Sequence, residues 1–160
     1  MYDYSLEELF KRAEEGTLPK DFKDWSWVDS SGWTVAHSAA EFGNLPVDFK
    51  EWDLCDEDGW SVAHTAAKYG HLPEGFNDWN LVDIIGLSVT HIAARYGHLP
   101  ENFKDWGLTD EYGWTVAHEA AFRGYLPKDF HMTHPEIWKL TDQDNTSVEN
   151  IAIENGYVID

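Results

Sequence analysis

The chain has 160 residues, room for one domain of ordinary size, and although only 42 % are hydrophobic, nine Trp, eight Phe and seven Tyr supply bulky apolar mass. Thirty acidic against eleven basic side chains give a formal charge of −19, which argues against direct binding of nucleic acid, because phosphate is held by Lys and Arg. Such a balance fits a basic partner, a cation, or solubility alone.

Taken in order, the chain starts with Met1-Tyr-Asp-Tyr-Ser-Leu-Glu-Glu, which has neither the basic nor the apolar region of a secretory leader. Ser5-Leu-Glu-Glu8 reads as a capping box before Leu9, Phe10 and Ala13, spaced for one helical face, and Gly16 ends that helix. Residues 1–28 form a truncated first unit whose charged face suits an N-terminal cap.

From Asp29 the chain repeats itself every 27 residues. Gly32, Gly59, Gly86 and Gly113 fall in register, as do His37, His64, His91 and His118, and Pro19, Pro46, Pro73, Pro100 and Pro127. Self-similarity of that period predicts stacked repeats. The units are 29–55, 56–82, 83–109 and 110–141, with 142–160 as a degenerate C-terminal cap. Each unit opens with Asp-x-x-Gly, a tight turn in which the Asp carboxylate accepts local N–H groups and Gly takes positive φ. Thr34, Ser61, Ser88 and Thr115 then cap a first helix of about nine residues carrying His and an Ala pair, closed by glycine. The following Leu-Pro-x-x-Phe-x-x-Trp predicts a second, shorter helix whose rings pin it to its neighbours. The first full unit ends at the lone cysteine, Cys55, which excludes an internal disulfide and points to a cytoplasmic setting. The fourth unit carries five extra residues around His131-Met-Thr-His-Pro135, so its second helix is either longer or interrupted. In the last unit Asn145 replaces the turn glycine and Asn150 the histidine. No apolar run approaches membrane-spanning length.

Asp56-Glu-Asp-Gly59-Trp-Ser-Val-Ala-His64-Thr-Ala-Ala-Lys-Tyr-Gly70-His-Leu resembles the first half of an ankyrin repeat. The family's Thr-Pro-Leu-His tetrapeptide appears as Thr/Ser-Val-Ala/Thr-His, with Val in place of the proline, and the period is about six shorter than the family's roughly 33 residues. The resemblance implies an all-α, ankyrin-like solenoid of short helix-turn-helix repeats with a cap at each end. It also implies a structural role for the repeated histidines, each bonding the turn of its own and the adjacent unit. Geometry agrees in excluding a shared ion: helices pack about 8–10 Å apart, whereas zinc ligands sit at about 2 Å. His71 and His98 read as packing and turn residues. His131 and His134 form a His-x-x-His without a third ligand nearby in sequence, and a metal-dependent activity there is the least favoured reading.

No phosphate loop, nucleophile elbow or Cys-His arrangement is present, so the chain is read as a non-enzymatic protein with no cofactor and no metal. The family binds other proteins, and its concave surface transfers to this sequence residue by residue. The position after each turn glycine gives Trp33, Trp60, Leu87 and Trp114; the residue before each helix-closing glycine gives Phe42, Tyr69, Tyr96 and Arg123. The turns contribute Ser30 and Ser31, Glu57 and Asp58, Ile84 and Ile85, and Glu111 and Tyr112. Two readings of the Trp series stand together: an exposed aromatic stripe rimmed by carboxylates, or rings folded down over the gap left by short second helices. Ile84 and Ile85 are the favoured exposed anchor. The expected partner is a protein with a basic surface; the alternative function is an acidic inhibitor occupying a DNA- or RNA-binding site by imitating phosphate charge.

Overall fold

A computed structural model describes residues 4–159, so residues 1–3 and 160, the extremes of the two caps, lie outside the described residues. The described chain is all-α. Five helices carry the repeat: α1 (Leu6–Glu15), α2 (Val35–Glu41), α3 (Val62–Tyr69), α4 (Val89–Tyr96) and α5 (Val116–Arg123). Two single turns, α6 (Phe130–Thr133) and α7 (Pro135–Trp138), and a final α8 (Val148–Glu154) follow. Helices pack in chain order, α1 on α2 through to α4 on α5, and then α5 on α8.

Helices of seven or eight residues do not hold in water alone, so their stability is tertiary. The first six residues of each of α2 to α5 are buried, and the paired alanines (Ala39 and Ala40, Ala66 and Ala67, Ala93 and Ala94, Ala120 and Ala121) let the next helix come close. Each N-terminus is closed the same way. The hydroxyls of Thr34, Ser61, Ser88 and Thr115 accept the N–H of the histidine three residues on. The first two orphan N–H groups go to the preceding loop: Val62 N to Leu54 O at 2.8 Å and Ala63 N to Trp52 O at 3.1 Å, with the same pair in the other units.

That bonding explains a correction to the sequence reading. The Leu-Pro-x-x-Phe-x-x-Trp segments of the 27-residue units are not helices. Phe49 N bonds Pro46 O at 3.0 Å and Leu54 N bonds Glu51 O at 3.2 Å, two separate turns with no helical ladder between them. Carbonyls that a second helix would use internally, those of Trp52 and Leu54, are taken by the first turn of the next helix. The rings keep their expected core role. Phe22, Trp25, Phe49, Trp52, Phe76 and Trp79 form an edge-to-face run with centroids 4.9 to 5.6 Å apart, and Phe103, Trp106 and Phe130 a second. Such pairs each contribute about 0.5–1.5 kcal/mol beyond area burial.

In the fourth unit the five extra residues do make helix, but interrupted. His134 sits at φ −136° between α6 and α7, as a residue before proline must leave the helical region. Tyr157 of the last unit packs 5.1 Å from Trp138 and 5.8 Å from His131. Asn145 takes the turn-glycine conformation at φ 59°.

Candidate functional site

Each Asp-x-x-Gly turn is pinned by its own carboxylate. Asp56 Oδ1 accepts the N–H groups of Asp58 (3.0 Å) and Trp60 (2.9 Å); Asp83 accepts those of Ile85 and Leu87, and Asp110 those of Tyr112 and Trp114. At Asp29 the Ser31 hydroxyl joins in, and that bond holds the carboxyl below its ordinary range. The turn tips also lean on one another: Ile84 N bonds Asp58 O at 3.1 Å and its Cγ2 lies 3.2 Å from where a Gly59 Cβ would stand.

The residue after each turn glycine is thereby fixed over its own helix. The indoles of Trp33, Trp60 and Trp114 lie 4.5 to 5.1 Å from the rings of His37, His64 and His118, and Trp60 Nε1 donates to Thr65 Oγ1 at 2.9 Å. They are half-buried, each lying over the histidine of its own helix. Leu87 departs from the expectation. At 6 % exposure it is a core side chain, packed in one cluster with Phe76, Val89 and partly buried Trp60. It cannot act as a contact residue.

Ile84 is 69 % exposed and Ile85 47 %. Phe42, Tyr69, Tyr96 and Arg123 are also exposed at the helix ends, as are Glu57, Asp58, Glu111 and Tyr112 at the turns. The Tyr69 hydroxyl bonds Glu41 and the Tyr112 hydroxyl bonds Glu111, each raising the phenol's pKa. The structure brings Trp33, Trp60, Asp58, Ile84 and Ile85 together around one open groove of about 460 Å³. Asp56, Asp83 and Lys68 complete its lining, and only the shared turn register could have pointed to the two Asp. Sequence reasoning also missed Arg95, whose guanidinium clasps both oxygens of buried Glu119 at 3.1 and 2.6 Å across 24 residues of chain.

Behind this surface runs a chain of imidazoles, all fully buried. His37 Nδ1 accepts from Thr34 N–H (3.2 Å) and hydroxyl (2.7 Å), so its proton is on Nε2, which donates to Trp60 O at 2.9 Å. The same peptide unit carries Ser61 N–H, which donates to His64 Nδ1 at 3.1 Å; His64 Nε2 then donates to Leu87 O at 3.0 Å. His91 continues to Trp114 O and His118 to Thr146 O, each at 3.1 Å. Burial lowers all four imidazole pKa values, with the bonds at Nε2 opposing in part. The structural role expected of these histidines is the one they have.

His71 Nδ1 donates to Ala40 O at 2.9 Å and His98 Nδ1 to Ala67 O at 2.8 Å, each capping the helix of the preceding unit. His131 Nδ1 meets the Tyr157 hydroxyl at 3.1 Å, while His134 bonds Thr133 Oγ1 and stacks on Phe130 at 4.7 Å. Among the described residues no group of three or more His, Cys, Asp or Glu stands at metal-binding spacing. None of the described helices is long and apolar enough to cross a membrane. No protein-family model matches the chain, and no curated protein sequence matches it.

Proposed function

We propose that the chain is an ankyrin-like solenoid, shortened to one helix per repeat, that acts as a non-enzymatic module holding a basic partner protein. The observation that carries this reading is the groove: half-buried indoles of Trp33 and Trp60 and exposed Ile84 and Ile85, walled by Asp56, Asp58 and Asp83. An apolar floor with a charged rim is the composition of a protein interface. The contact set comprises Trp33, Trp60, Trp114, Ile84 and Ile85 with Phe42, Tyr69, Tyr96, Arg123, Glu57, Asp58, Glu111 and Tyr112. The setting is the cytoplasm, where exposed Cys55 stays reduced.

The test is capture of partners by the wild-type chain and by a Trp60→Ala, Trp114→Ala, Ile85→Asp triple variant whose helicity is checked by circular dichroism. The partner recovered by the wild type should be lost from a folded triple variant. Equal recovery by both would remove the proposed surface. A second reading, an acidic mimic that fills a nucleic-acid-binding site, is favoured by the charge of −19. It requires that DNA or RNA compete with the chain for the same partner and that affinity fall steeply with salt; binding indifferent to both would sink it.

A further inference from the structure

At each early junction the residue following a helix-closing glycine reaches back over the glycine of the preceding unit. A Cβ on Gly16, Gly43, Gly70 or Gly97 would meet Asn44, His71, His98 or Tyr125 at 2.8, 3.2, 3.1 and 3.0 Å. Three of these side chains also donate to the carbonyl three residues before that glycine: Asn44 Nδ2 to Ala13 (3.0 Å), His71 Nδ1 to Ala40 and His98 Nδ1 to Ala67. The next place in the series is Gly124, and there, among the described residues and apart from Gly124 and its chain neighbours, no atom lies within 4 Å of the Cβ position.

The residue due to fill it is Tyr157. Its backbone is in register, since Tyr157 N bonds Ala152 O at 2.8 Å as Tyr125 N bonds Ala120 O at 2.8 Å. Its ring, however, turns to the insertion: it packs on Trp138 and His131, and its hydroxyl bonds the carbonyls of Pro127 and Lys128. The five extra residues have drawn the ring out of its slot. What is left is a cleft of about 300 Å³, against 160 and 180 Å³ at the junctions where Asn44 and Tyr125 are in place. Ala121, Gly124, Leu126, Ala152, Gly156 and Val158 give its apolar lining, and Lys128, Asn155 and the displaced Tyr157 complete the wall.

We propose that this cleft is a binding site for a small planar heteroaromatic molecule with a ring N–H, of the imidazole class, seated over Gly124 and donating to the carbonyl of Ala121. The filled junctions define the occupant. Two of them hold an imidazole flat on glycine with its Nδ1–H on the matching carbonyl. Ala121 O already accepts Gly124 N at 3.1 Å, as Ala67 O accepts Gly70 N at 3.4 Å; the second lone pair that His98 takes at Ala67 is the one a ligand would take at Ala121. The C-terminal ends of α5 and α8 converge on the cleft and favour a donor over an acceptor.

The experiment is an amide NMR titration of the full chain at pH 8 with 4(5)-methylimidazole, with 1,5-dimethylimidazole, in which a methyl group replaces the donor hydrogen, and with 4-methylthiazole, a ring of similar size that has no N–H. Wild type should show saturable shifts at the amides of Gly124, Leu126 and Gly156 in the millimolar range, with the two rings that lack the N–H each at least tenfold weaker. Gly124→Asn places a side chain in the slot while tolerating the positive φ of 75°, and should weaken binding by a similar factor. Val158→Trp, at an exposed position of the lining, is a second blocking variant should the first not fold. Absence of saturable shifts at these amides, equal affinity for either ring that lacks the N–H, or unchanged affinity in the folded blocking variant would each overturn the proposal.

Discussion

Mild acid should loosen this protein through its four buried histidines. His37, His64, His91 and His118 are buried, and their Nδ1 atoms already accept hydrogen bonds, so a second proton has no favourable place in the fold. Burial lowers the folded pKa, whereas the unfolded chain takes up the proton near the ordinary value of about 6.5. The unfolded state therefore binds more protons below that value, and stability is full above it and lost as pH falls through it toward the folded pKa. One unit below the unfolded value, a ring that stays neutral in the fold costs about 1.4 kcal/mol, so four set a ceiling of about 6 kcal/mol. A domain has only about 5–15 kcal/mol in total. Urea unfolding followed by tryptophan fluorescence at pH 7.5, 6.5 and 5.5 should give a midpoint that falls with each step, most steeply over the last. His64→Asn should be weaker than wild type at pH 7.5 by about 1–3 kcal/mol, from the Ser61 N–H and Leu87 carbonyl left underserved. It should also lose less between pH 6.5 and 5.5. A midpoint that is flat or rises on acidification, or a variant with the wild-type slope, would refute the reasoning.

Two further stability tests follow from named contacts. Gly70→Ala and Gly75→Ala both put a Cβ at positive φ, 76° and 79°, at about 1–2 kcal/mol, but only Gly70 has the His98 ring 3.1 Å away; Gly70→Ala should lose at least 1 kcal/mol more by urea unfolding. Glu119→Gln, which leaves Arg95 without its carboxylate, should cost about 1–3 kcal/mol and change little between 0.05 and 0.5 M salt, because the acid side of the pair is buried.

Much of this architecture was legible because it is local chemistry. The caps at Ser5, Thr34, Ser61, Ser88 and Thr115, the Asp-x-x-Gly turns and the positive φ of Asn145 each follow from a few adjacent residues. The missing second helix was not legible, because Pro-x-x-Phe satisfies one helical turn and one isolated turn equally. The choice was made by Val62 and Ala63, which need the carbonyls of Leu54 and Trp52. Of the candidate site, the turn and Trp positions could be read from register alone. Whether a given position faced out could not: Leu87 occupies a tryptophan position and sinks into the core, while Ile84 stays exposed although its backbone and methyl brace the previous turn. The Arg95–Glu119 clasp and the turned-away Tyr157 ring depend on distances between units, which spacing along the chain does not encode.

The four imidazoles all carry their proton on the same nitrogen and all point it toward the next unit, with a single peptide group bridging His37 to His64 and another linking His91 to His118. Their N–H dipoles consequently share one sense along the stack, the last of them directed at the Thr146 carbonyl. Polarisation passes through such a bridge, so removing one ring of a bridged pair weakens the bonds of the other. The interior is thus wired in one direction, and a unit lifted out and reinserted backwards would set two donors face to face.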